Sequence, residues 1–235
     1  MNVSNSEASR SYNHLLRIAE ASRALSRLGG EETVGKILTV IKDEGLEEII
    51  GIRLLHRHNE ISEDEVMFES PIVDEEGFAL VTAATPLSQV VSMTANCWQS
   101  TTSGYIPGEY SDPVLLADAA FVVADHKLIF DRLSEALCDH RVESVLGPCL
   151  NYSAEVISRK PEMNAAFLEK TDEDNRANVV RYISIADPSF INSAKTKWLA
   201  KRQITDDGVW TWATACTCYC AVFPGGGHQG TKYHR

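Results

Sequence analysis

Apolar residues near the amino terminus recur at helical spacing. Leu15, Ile18, Ala19, Leu25 and Leu28, with the small Ser22 completing the stripe, predict a helix over 4–28 that Gly29-Gly30 stops. Val34, Ile37, Leu38 and Ile41 continue the pattern over 31–44, and Gly45 ends it. The chain is thus expected to open as a helical hairpin. Over 48–58 the period falls to two, so Ile50, Ile52, Leu54, His56 and His58 share one face of a predicted strand, opposite Arg53 and Arg57. Shorter strands are predicted at 66–68 and 78–84, on either side of the acidic turn 74–77.

The middle of the chain is less regular. Val90-Val91 favours a strand, the Ser and Thr residues of 100–103 favour a loop, and Pro107-Gly108 predicts that 105–113 is a loop of the kind that binds or covers a ligand. Asp125 is placed to cap a helix running to His140, with Leu128, Ile129, Leu133 and Leu137 facing inward. A strand is predicted at 142–146, ended by Gly147-Pro148, and others at 165–168 and 179–185. Residues 193–204 fit a strand or a short helix. Residues 210–223 carry no charge and predict a strand at the centre of the sheet. Together these predict an α+β fold: an N-terminal helical hairpin (1–45), a mostly antiparallel or mixed curved sheet with one inserted helix (46–223), and a Gly-rich tail (224–235). No repeat or linker composition divides the chain, so one globular domain is expected.

Composition adds limits rather than a function. A hydrophobic fraction of 44% with 23% charged residues is that of a globular protein. The formal charge of -11 argues against nucleic acid and anionic membrane surfaces as partners, because phosphate contact needs clustered Lys and Arg. The acidic stretch 43–76 and the basic group Lys195, Lys197, Lys201 and Arg202 both read as solvated faces. The first residues form no secretory signal, and no apolar run is long enough for a bilayer, so a cytoplasmic protein is expected. In that compartment six cysteines are more readily thiols, metal ligands or nucleophiles than disulfides.

Two constellations could carry chemistry. His56 and His58, two apart on a strand, send both imidazoles to one side, where they can hold a metal or act as acid and base; Glu60 or Glu63 would assist as carboxylate ligand or base. The second is Cys216-x-Cys218-x-Cys220, followed by His228 and His234, which supplies thiolate and imidazole ligands or a core-packing stripe. Gly51, His56, His58 and Glu63 resemble, over a short stretch, the first metal motif of the cupins. The glycine-to-histidine gap is short for that motif, and Pro224, Gly226 and His228 match its second motif no better, so no family follows.

Residues 225–230 satisfy Gly-x-Gly-x-x-Gly, but no helix can follow in the few residues left, so no nucleotide cofactor is expected. The reading is an enzyme acting on a small molecule in a His-lined pocket, with Trp210 or Trp212 packing on the substrate and a divalent metal, zinc or iron, as candidate cofactor. The alternative is a non-catalytic interaction protein, either metal-free or secured by zinc. Substrate, reaction class and oligomeric state are open at this level.

Overall fold

A computed structural model describes residues 5–102, 104–116, 127–160 and 165–222. The opening apolar periodicity gives three helices, α1 (Asn5–Asn13), α2 (Ile18–Arg27) and α3 (Gly30–Asp43). The continuous helix expected over 4–28 breaks at 14–17. There Leu16 O accepts a hydrogen bond from Arg57 N (2.9 Å), and extended Arg17 forms a parallel bridge with Arg57. Tertiary pairing thus overrides a local helical pattern.

Among the described residues ten strands follow. They are β1 (Ile50–Leu54), β2 (Glu65–Asp74), β3 (Gly77–Pro86), β4 (Thr94–Thr101), β5 (Gly104–Ser111), β6 (Leu146–Leu150), β7 (Ala165–Asp172), β8 (Ala177–Ser184), β9 (Ser193–Ile204) and β10 (Trp210–Ala221). Helix α4 (Lys127–Asp139) precedes β6, and the short α5 (Ala154–Ser158) follows it. The strands pair in the order β1-β6-β4-β5-β2-β3-β8-β7-β10-β9 into a closed barrel, with β2·β5 and β7·β10 parallel. This overturns the α+β expectation of a helical hairpin on an open curved sheet. The reason lies in β9, which pairs along its length with β10 and, at Lys197 and Trp198, with Arg53 and Ile52 of β1. The last hairpin returns to the first strand, and closure leaves no unpaired edge.

A closed sheet has an inside and an outside, and β1 divides its residues between them. Ile50, Ile52 and Leu54 pack outward against Val34, Ile37 and Ile41 of α3 and Ile129, Leu133 and Leu137 of α4. Fully burying each such side chain contributes roughly 1.5–3 kcal/mol, so the main apolar core lies between barrel wall and helices. Arg53, on the alternate face, reaches strands that are not its neighbours, and so lies inside. The two histidines were expected on the Ile50 face; the structure places them elsewhere, as described below.

Several local expectations fail for one reason. Residues 105–113 were expected as loop, yet most of them form β5, because Pro107 pairs with Trp98 on one side while β2 meets β5 only at Tyr110 and Ser111. Gly147-Pro148 lies within β6 rather than ending a strand, since β4 meets β6 only at Cys149. A proline is tolerated where a strand lacks a second ladder. The predicted central strand is β10, but β7 pairs with it only at 218–220, and Trp210 is 65% exposed. In α4, Leu128 is exposed whereas Ile129, Leu133 and Leu137 are buried. Asp125 and the glycine-rich tail lie outside the described residues. No described helix is long and apolar enough to cross a membrane.

The pairing of β6 with β4 includes one close approach. A Cβ at Gly147 would come within 2.0 Å of Trp98 O, a backbone atom of β4, whereas a Cβ at Gly108 would meet only Cys97 O, at 4.0 Å. Gly147→Ala is expected to destabilise the fold by about 2–3 kcal/mol in denaturant unfolding, with Gly108→Ala near neutral. Equal midpoints for the two variants would contradict this account of the β4–β6 contact.

Candidate metal centre

The histidine pair enters the barrel because β1 stops. After Leu54 the backbone leaves the strand: Leu55 N donates to Val145 O (2.8 Å), Arg57 N to Leu16 O, and His56 Nδ1 lies 2.8 Å from Leu54 O. That contact to a carbonyl places the His56 proton on Nδ1 and makes Nε2 the lone-pair nitrogen of the neutral ring. His58 N donates to Tyr12 Oη (3.2 Å), and His58 Nδ1 lies 3.4 Å from Thr171 Oγ1. The two rings sit edge to face, 4.5 Å apart.

Their companions come from β7 and β10. Glu169 Oε2 lies 3.9 Å from His56 Nε2 and 4.0 Å from His58 Nε2, while its other oxygen accepts from Arg53 Nη2 at 2.8 Å. Cys220 is paired with Glu169 in the β10–β7 register. One ligand atom from each of His56, His58, Glu169 and Cys220 lies within 4.8 Å of the others, and all four residues are buried. Among the described residues none donates a hydrogen bond to Glu169 Oε2. A tetrahedral zinc ion holds nitrogen, oxygen and sulfur donors at roughly 3.2–3.8 Å from one another, so a small contraction of the group would enclose one.

Around this group the barrel interior is charged. Arg53 Nη1 lies 2.7 Å from Glu109 Oε2, so the guanidinium spans Glu109 and Glu169. Glu69 accepts from Ser111 Oγ and Tyr152 Oη, both at 2.8 Å, and Asn96 donates to Ser111. Lys197 Nζ donates to Leu150 O at 2.7 Å. Burial pushes the Glu169 carboxyl up to about 7; Arg53 opposes the rise, and the charges of Glu109 and Glu69 add to it. Burial also raises Glu109 and carries the thiols of Cys218 and Cys220 well above the ordinary range. Burial works against the charge on Arg53 too, but Glu109 and Glu169 outweigh it and hold its pKa well up. Three interior carboxyl groups thus accompany two cations, Arg53 and Lys197, an arrangement that favours a further positive charge.

The other residues singled out in the sequence are not at this centre. Glu60 is exposed and bonded to Arg57 (2.7 Å), and Glu63 is exposed, so the carboxylate beside the histidines comes from β7 instead. Trp212 stacks with Arg202 on the outer wall and Trp210 is exposed. The thiols form no even stripe, because register shifts at 216–219 separate them: Cys216 is half-buried, Cys218 lies beside Phe167, and Cys220 beside Glu169. His228 and His234 lie outside the described residues. Sequence reasoning missed Glu169, Arg53, Glu109, Glu69 and Lys197. The available signal was a lone carboxylate following an apolar run in a predicted strand, as in Ala165-Ala166-Phe167-Leu168-Glu169. No family model, curated protein or solved structure matches the chain.

Arg53 is the testable centre of the network. Arg53→Met leaves two buried carboxylates without their cation and is expected to cost about 3–5 kcal/mol in denaturant unfolding. Adding Glu109→Gln and Glu169→Gln should recover most of that loss, because the uncompensated charges go with it. A single Arg53→Met variant as stable as the parent would show that the pairs contribute nothing.

Proposed function

We propose that the protein is a metal-dependent enzyme acting on a small molecule, with the ion held by His56 Nε2, His58 Nε2, Glu169 Oε2 and Cys220 Sγ. The observation that carries the reading is the convergence of these four donors, drawn from three remote segments, with Glu169 Oε2 accepting no hydrogen bond from the described residues although buried. Two imidazoles, a carboxylate and a thiolate suit zinc, with iron(II) the other ion such donors accept. Binding would release the thiol proton that burial otherwise retains. The ion supplies a Lewis acid and an ionised water. Glu169 is the donor best placed to yield a coordination position, since Arg53 already holds its other oxygen.

A cavity on the same strand as Glu169 favours the enzymatic reading. Phe167 shares the β7 face of Glu169 by strand alternation and lines a cavity of about 150 Å³. The complete burial of all four donors favours a second reading, in which the ion only secures the barrel, because closed four-ligand sites are usually structural.

Metal analysis of protein purified without a His tag is expected to give about one zinc or iron ion per chain. Cobalt substitution should produce a thiolate charge-transfer band that Cys220→Ser abolishes and Cys216→Ser leaves in place. His56→Ala with His58→Ala should lose the ion while the far-ultraviolet circular dichroism persists, and Glu60→Gln should retain it. Protein that takes up neither zinc, iron nor cobalt would end the proposal. Metal-dependent melting without turnover of any small molecule would favour the structural reading.

A further inference from the structure

The cavity lined by Phe167 has its own chemistry. Among the described residues its lining includes Tyr152, Phe167, Tyr182, Lys160, Lys197 and Lys201, and no carboxylate. In a chain of net charge -11, three lysines converge on one cavity, and none of them forms a salt bridge among the described residues. Lys197 is buried; its ammonium donates to Leu150 O and lies 4.3 Å from the Tyr152 ring centroid. An ammonium carries three donors, so that bond leaves capacity for an anion. Burial and the nearby charge of Lys201 push Lys160 down.

The remaining wall is aromatic. Phe167 and Tyr182 stack with centroids 3.9 Å apart and planes at 21°, and Tyr152 meets Phe167 edge-on at 5.4 Å. A cavity of about 150 Å³ is the size that accepts a benzene ring. Flat aromatic surface beside several ammonium groups matches a planar ring bearing a negative charge. An adjoining groove of about 630 Å³ shares Asn151, Ile157, Leu199 and Lys201 with this cavity, but there Glu47 and Glu48 offset Lys201 and Arg202. A second anionic group reaching into that groove would find its two cations already balanced by carboxylates.

We propose that the barrel mouth binds a ring-sized planar monocarboxylate, its ring against Phe167 and Tyr182 and its carboxylate among Lys160, Lys197 and Lys201. As the substrate class of the enzyme this rests on the metal-dependent reading above; as a binding site it stands on its own residues.

Benzoate, its neutral analogue benzamide and the dianion phthalate, titrated into the full chain by calorimetry, test it. Benzoate is expected to bind saturably, at least about tenfold more tightly than either analogue, and to weaken as salt is raised. Lys197→Met should weaken benzoate by about tenfold. Should that buried change unfold the barrel, the exposed pair Lys160→Ala with Lys201→Ala gives the same test, again with about a tenfold loss. Benzamide binding as well as benzoate, or benzoate unmoved by the Lys160 and Lys201 changes, would overturn the inference. His56→Ala with His58→Ala separates the two proposals. Benzoate still bound by that metal-free variant upholds the mouth whatever becomes of the ion, whereas metal uptake without benzoate binding overturns the mouth alone.

Discussion

The bond from Arg53 to Glu109 and Glu169 is the constraint on which the interior depends. It runs from β1 to β5 and β7, strands that are not its neighbours, at 2.7 and 2.8 Å. An unpaired charge at such depth would cost several kcal/mol, so each end requires the other. The same demand extends outward through polar partners: Glu69 is satisfied by Ser111 and Tyr152, and Ser111 by Asn96. A one-residue slip of β5 or β7 would turn these carboxylates out of the barrel and leave Arg53 alone, so the network fixes register as well as charge.

Glu169 belongs to both the fold and the site. One oxygen is committed to Arg53, and the other faces the Nε2 atoms of His56 and His58. Because the guanidinium fixes the carboxylate plane, the second oxygen is oriented before any ion or substrate arrives, as a partner outside the coordination shell orients a ligand. Cys220 reaches the same point through the parallel pairing of β10 with β7, after the register shifts at 216–219.

How far the sequence could be read depended on what its signals measure. The alternation of β1 was legible, and Arg53 does lie opposite Ile52. What alternation does not reveal is which face is enclosed by the barrel: both are buried, but the apolar stripe meets helices outside the barrel and the charged face is the inner one. His56 and His58 were legible as a pair, but the departure from the strand after Leu54 is set by contacts to Leu16 and Val145, remote in sequence. Their carboxylate partner was sought nearby, in Glu60 and Glu63, because spacing gives access only to local neighbours. Pro107 and Pro148 were read as breakers since a lone sequence does not show that those stretches lack a second ladder. Barrel closure itself rests on β9 returning to β1 across more than half the chain, and no local pattern encodes that.

The two proposed sites share one electrostatic axis. Lys160, Lys197 and Lys201 line the cavity, Lys197 is paired in register with Arg53, and Arg53 binds Glu109 and Glu169 beside the histidine pair. A cation held by Glu169 would offset part of the negative charge that now balances Arg53 and Lys197, making the layer beneath the mouth more positive. An anion at the mouth would then bind more tightly. Since binding free energies are reciprocal, that anion would strengthen the hold on the cation by the same factor, so occupancy of either site raises occupancy of the other. Burial of Lys197, Arg53 and the glutamates in low dielectric limits the screening of that coupling by salt, whereas the exposed Lys160 and Lys201 remain subject to it.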